Sequence, residues 1–377
     1  MGDENYKIVD LFCGAGGFSF GFDHPEQLNG LGKLGYEELG WETEGFKTIY
    51  ALDDYEAATE TIEKNFDCAV ENSKIQDIDT FSTWDDADVV LGGPPCQGFS
   101  QLNSTKTEDL DDERNHLWKE YFRAVEDINP EVFVVENVPR FLDSPAGKGL
   151  VELAEEHDYT TVVGKLDAAD YGVPQHRKRA FVIGSKQGTP FLPTPTREPT
   201  KTVRQAIGDL PMYATDENLH NSRNFSELTK ERMKKVPRGG NRHDIPRYLL
   251  PNCWKDYEDG GTDLFGRLRW NEPSVTIRTS FHKPMKGRHL HPEAGLERTI
   301  TLREGARLQT FPDDFEFGTP YQVHTARLIG NAVPPKLAYH IAKAVKSHLQ
   351  GEEGKLVKSQ DFDHGEFLEA ERQPVLE

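Results

Sequence analysis

The chain has 377 residues and a net charge of −20, with 36% hydrophobic residues and four cysteines. That length can bury cores for two domains. No apolar run reaches the roughly 18 residues of a membrane span, and no signal-like segment opens the chain, so a cytoplasmic protein with no membrane contact is expected. Cys13, Cys68, Cys96 and Cys253 are scattered without a CxxC pair, which argues against a disulfide scaffold and against a metal site.

Residues 7–12 predict a strand, followed by the turn Cys13-Gly14-Ala15-Gly16-Gly17, whose glycines let backbone approach a ligand. Residues 24–44 read as an insertion. A second strand over 48–52 ends at Asp53, a carboxylate placed for ribose hydroxyls. Its distance from the glycines exceeds the usual ~20 residues of dinucleotide sites. A GxGxxG fingerprint and a Walker lysine are both missing, so a nucleoside cofactor without pyrophosphate fits better. Residues 55–65 predict a helix.

The apolar strand over 88–91 runs into Gly92-Gly93-Pro94-Pro95-Cys96-Gln97. Two prolines fix the backbone before one thiol, which makes it a candidate nucleophile at a strand's carboxyl end. A helix over 115–128 leads to the strand over 132–135, which ends at Glu136-Asn137-Val138-Pro139. Glu136 there could donate a proton. Gln175-His176-Arg177-Lys178-Arg179 enters a strand over 180–184. The period of two puts Arg177 and Arg179 on one face, where forked guanidiniums suit a carbonyl or phosphate. Taken singly, each has a plainer reading: a buried thiol, a capping glutamate, a solvated strand edge.

Strand–helix alternation predicts an α/β fold with a doubly wound, mostly parallel sheet over 1–185. Prolines then punctuate a loop-rich second domain over 186–296. Residues 186–300 hold 20 Lys and Arg against 14 Asp and Glu, a basic segment inside an acidic protein that suits a polyanion. Residues 297–350 return to the first domain with a last helix, and 351–377 form an acidic tail. The acidic remainder suggests a surface adapted to high salt.

Seven blocks, in order, make the chain resemble the DNA (cytosine-5)-methyltransferases. They are DLFCGAGGFSFGF from Asp10, GGPPCQGFS from Gly92, ENVPRFL from Glu136, QHRKRAFVIG from Gln175, RLRWNEPSVTI from Arg267, the block from Ile300 through Phe315, and GNAVPPKLAYHIA from Gly330. The resemblance implies S-adenosylmethionine as methyl donor and a Rossmann-like catalytic domain. It makes Cys96 the nucleophile on cytosine C6 and Glu136 the group at N3. Arg177 and Arg179 would hold the base and the cysteine loop. It places Phe18, Gly14, Gly16 and Pro95 around the cofactor, Asp53 on the ribose and Asp77 on the adenine amino group. Asn331 and Ala332 would close the site. The basic segment would be a target-recognition domain reading double-stranded DNA around a flipped base.

The resemblance also leaves rivals. A transfer-RNA cytosine-5-methyltransferase shares the scaffold, but its usual CFT tripeptide is absent here. A catalytically silent DNA-binding relative would have lost Cys96 or Glu136, and both are present. A monomer is expected, with a cognate restriction endonuclease as a possible companion.

Overall fold

The structure is a computed structural model that describes residues 5–24, 45–95, 116–196, 199–215, 217–255 and 260–352. Among these, seven strands form one sheet: β1 (Tyr6–Leu11), β2 (Phe46–Asp53), β3 (Ala69–Asn72), β4 (Val89–Gly92), β5 (Val132–Asn137), β6 (Thr160–Asp167) and β7 (Lys178–Ser185). Their order is β3-β2-β1-β4-β5-β7-β6. The first five run parallel, while β7 is antiparallel to both β5 and β6. The expected doubly wound, mostly parallel sheet is present.

That single reversal decides what shares the sheet's edge. β1, β2, β4 and β5 deliver their carboxyl ends to it, and β7 delivers its beginning. Ala180 therefore lies opposite Asn137, and Phe181 opposite Glu136.

Alternate residues of the central strands feed two apolar layers, as both-faced burial of a parallel sheet requires. Val9, Leu11, Val90, Phe133 and Val135 pack with α3 (Leu117–Ile128) and α4 (Pro145–Glu156). Ile8, Val89, Leu91, Val132 and Val134 pack with α1 (Gly17–Asp23) and α10 (Pro335–Leu349). The contact of α1 with α10 needs glycine: a Cβ on Gly17 would stand 2.3 Å from Val333 O, and one on Gly21 2.3 Å from Pro335 O. The carboxyl-terminal segment is thus seated directly on the first glycine turn.

A third core joins α2 (Glu56–Asn65) to α5 (Val203–Ile207), α8 (Leu302–Leu308) and α9 (Gln322–Asn331). It also takes Leu268, Ile277 and Phe281. Parts of 186–296 therefore pack with the catalytic body. A separate small core of Met233, Val236, Ile245, Phe265 and Leu290 lies beside α6 (Glu227–Lys235) and α7 (Asn252–Lys255). At its margin Arg267, fully buried, donates to the carbonyls of Met233, Val236, His291, Glu293 and Leu296.

Candidate active site

The turn after β1 carries three left-handed residues, Phe12 (φ 61°), Gly14 (φ 56°) and Gly16 (φ 71°). The two glycines serve different ends. A Cβ on Gly16 would strike Ile62 at 2.6 Å and Phe66 at 2.8 Å, so this glycine seats α2. Nothing lies within 4 Å of the Cβ position on Gly14, which leaves room for a ligand.

Asp53 closes the other side of that turn. Its Oδ2 accepts from the Gly14 amide and its Oδ1 from the Tyr55 amide, both at 2.9 Å. Burial pushes its pKa up to about 6 although both amides favour the charged form. Asp10 lies beneath, 1% exposed, and accepts from Ser19 Oγ at 2.6 Å. Phe18 is 4% exposed and meets Phe22 and Phe181 edge-on. Asp77 is exposed in the short turn Ile75–Asp77 beyond β3. Asn331 is exposed at the end of α9, and Ala332 is buried just after it.

The second part of the edge is the base of the cysteine turn. Cys96 and Gln97 lie outside the described residues; Pro95, half-buried, is the last described residue before them. The ground they grow from is fixed. Tyr121 Oη donates to Val90 O at 3.0 Å and Val134 O at 3.3 Å, clasping β4 to β5. Asn137 Nδ2 donates to Pro94 O at 2.9 Å within the buried interior. Gly93 leaves its Cβ position 3.5 Å from Glu136 Oε2, so the backbone leading to the thiol runs against that carboxylate.

Glu136, at the end of β5, pairs with Arg179 at the start of β7; Arg179 Nε is 2.8 Å from Glu136 Oε1. Both side chains are largely buried, which strengthens an ion pair relative to one in water. Arg177 and Arg179, two residues apart, take different partners. Arg177 is fully buried and turns to the returning chain, donating to Ile277 O at 3.2 Å, Gly330 O at 3.0 Å and Asn331 O at 3.1 Å. Three inward carbonyls draw its guanidinium away from the cleft, and burial holds its pKa well below the usual arginine value.

Sequence reasoning missed the partners of that clasp. Gln175 donates to Gln309 Oε1 at 2.7 Å and accepts from the Ile277 amide at 2.7 Å. Gln309 in turn donates to Ile329 O at 2.5 Å and Ala332 O at 3.3 Å. The only signal was two glutamines, Gln175 and Gln309, inside two of the resembling blocks. Tyr121 and Arg327 were missed as well: the first reads as core, the second as one charge on a polar helix.

Comparison with known proteins agrees with this geometry. The model of the C-5 cytosine-specific DNA methylase family matches residues 6–347. The chain is 36% identical to the Type II methyltransferase M1.HphI of Haemophilus parahaemolyticus over 89% of its length and 86% of that protein. It is 33% identical to the Type II methyltransferase M.NgoFVII of Neisseria gonorrhoeae, over 90% and 86%. Among solved structures it resembles a prophage-encoded DNA modification methyltransferase of E. coli at TM-score 0.68 and 25% identity, covering 92% of this chain and all of that one. With a glycine turn beside a strand-end aspartate, a buried Glu–Arg pair against Gly93, and a family match over nearly the whole length, the chain belongs to the C-5 cytosine-specific DNA methylase family.

Proposed function

We propose that this DNA cytosine-5 methyltransferase takes its methyl group from S-adenosylmethionine and acts on a cytosine turned out of duplex DNA, through a covalent bond from Cys96 to C6. The observation that carries the reading is the Glu136–Arg179 pair lying against Gly93, two residues before the Pro95-Cys96 step.

Cytosine C5 is a poor nucleophile until C6 is attacked. Addition of the Cys96 thiolate forms the S–C6 bond and moves the C5=C6 electron pair onto C5. Glu136 shares a proton with N3 and so draws charge through the ring; Arg179 holds Oε1 and orients the carboxyl group. The bound cofactor supplies a methyl group on a sulfonium, which is electrophilic toward C5. Loss of the C5 proton then expels the Cys96 sulfur and restores the aromatic ring. Covalent catalysis of this type divides one hard step into easier ones. The Asn137–Pro94 and Tyr121 contacts serve it by fixing the approach of the thiol, since orientation can supply about 7–11 kcal/mol of a barrier.

For the cofactor, the open face of Gly14 and the adjoining Asp53 carboxylate fit a ribose. Phe18, Gly16, Pro95, Asn331 and Ala332 would surround it, with Asp77 toward the adenine. Residues 1–185 with 297–350 would form the catalytic domain. The DNA-reading unit would centre on the small core held by Arg267 and be narrower than 186–296, because α5 and 268–281 share the catalytic core. Its excess of Lys and Arg would meet phosphates. The Type II relatives favour a modification role beside a cognate endonuclease; a monomer is our expectation from the sequence.

The test is labelled S-adenosylmethionine with duplex DNA or RNA, for wild type and Cys96→Ala. Label in DNA with wild type alone is expected. Label only in RNA, or label in DNA by Cys96→Ala, overturns the reading.

A further inference from the structure

Helix α9 ends in the clasp that holds Asn331 and Ala332, but its middle makes another contact that the proposed chemistry does not use. The guanidinium of Arg327 lies 4.2 Å from the centre of the Tyr55 ring. Tyr55 in turn donates its backbone amide to Asp53 Oδ1. His324 stands 5.7 Å from Tyr55 and 5.6 Å from the exposed ring of Tyr321, ring centre to ring centre. Spacings of three and four residues put His324, Arg327 and Asn331 on one face of α9. One helix thus touches the Asp53 side of the glycine turn at its middle and the closing segment at its end.

We propose that Arg327 is a positioning residue for the cofactor: it clamps Tyr55 and so fixes the Asp53 carboxylate beside the open face of Gly14. The inference rests on the reading of that face as the ribose site. A ribose diol donates two hydrogen bonds, which an ionised carboxylate accepts better than a protonated one. The charged and titratable groups around Asp53 come from three elements. Asp10 and Cys13 lie on the β1 side, Asp54 follows β2, and Arg327 reaches from α9. Arg327 is the cation among them and favours the ionised form, whereas Asp54 opposes it. Without Arg327, Asp53 therefore stays protonated to a higher pH, and its hold on a diol weakens first on the acid side.

The experiment uses the full chain with S-adenosylhomocysteine as probe, titrated calorimetrically at pH 6 and pH 8. Arg327→Met should weaken binding about tenfold at pH 6, which is about 1.4 kcal/mol, and clearly less at pH 8. Arg327→Lys should restore most of it. In turnover the loss should fall on KM for the cofactor rather than on kcat. An unchanged affinity, or an equal loss at both pH values with no rescue by lysine, overturns the proposal. Asp53→Asn separates the two levels of the argument. If it binds the probe as tightly as wild type at pH 8, the ribose reading itself fails; if it binds weakly while Arg327→Met is normal, only the role of Arg327 fails.

Discussion

Arg179 Nε approaches Glu136 Oε1 to 2.8 Å because β7 runs against β5, so the start of one strand meets the end of the other. A parallel β7 would carry the arginine to the opposite edge. The pair leaves Oε2 on the Gly93 side, facing the backbone that leads to Cys96. Replacing Glu136 by Gln keeps the shape and removes the proton donor of the proposed mechanism. The expected loss in kcat is about 10²–10⁴-fold, the usual worth of a general acid. Single-turnover assays beside a thermal melt check it: the rate should collapse while the melting temperature moves little.

The seating of the carboxyl-terminal segment depends on Gly17. A methyl group there meets the Val333 carbonyl at 2.3 Å, and backbone cannot swing aside as a side chain can. Gly17→Ala should destabilise the fold by about 1–3 kcal/mol, as overpacking does. Gly14→Ala meets open space and bears only the strain of φ 56°, about 1–2 kcal/mol. Urea denaturation with S-adenosylhomocysteine titration distinguishes them. Gly17→Ala should lose more stability, and Gly14→Ala should lose proportionally more probe affinity.

Asp10 makes stability depend on pH in an unusual direction for a carboxylate. Burial pushes its pKa up to about 7 from 3.8, against the Ser19 hydrogen bond that lowers it. With the folded value above the unfolded one, the protonated form favours folding. That contribution is full below about pH 4, falls as pH rises through 7 and is gone above it. Three units correspond to about 4 kcal/mol at most. Asp53 acts in the same sense, so the informative comparison is between wild type and Asp10→Asn. Denaturation at pH 5 and pH 8.5 should show a smaller pH penalty in the variant; equal penalties contradict the assignment.

The central strands were legible because burial on both faces leaves unbroken apolar runs: Asp88-Val89-Val90-Leu91 and Val132-Phe133-Val134-Val135 could hardly be anything else. The edge strands β3 and β6 were not, since Ala69-Val70-Glu71-Asn72 and the stretch from Thr160 to Asp167 are half-exposed and mix polar with apolar residues. Helix α1 was hidden for the opposite reason. Its Gly-Phe-Ser-Phe-Gly-Phe sequence has poor helix propensity, and packing on α10 overrides it. At the site, residue identities were readable but not directions. Glu136, Arg179 and Asp53 stand at the edge where strand ends were expected to gather. Arg177 is turned inward by carbonyls supplied from 100 to 154 residues away, which no local pattern records.

Buried arginines show the same limit, because charge in a sequence reads as surface. Arg267 satisfies five carbonyls around the small core. Arg267→Met leaves those acceptors in an apolar interior, each at about 1–3 kcal/mol if water does not reach it. The expected outcome is selective: DNA binding is lost while S-adenosylhomocysteine affinity is retained. Arg267→Lys should rescue little, since an ammonium lacks the planar fork. Parallel titrations with duplex DNA and the cofactor product check both.

The central claim is that Cys96 forms a bond to cytosine C6 during methyl transfer to DNA. A duplex substrate with 5-fluorocytosine in the target position tests it directly, because the final step needs loss of the C5 substituent and fluorine cannot leave as a proton does. Incubation with S-adenosylmethionine, denaturing electrophoresis and mass spectrometry of the peptides should reveal a protein–DNA adduct on Cys96. The adduct should require the methyl donor and be absent in Cys96→Ala. Full methylation of ordinary duplex DNA with no such adduct, or an adduct on another residue, would contradict the account.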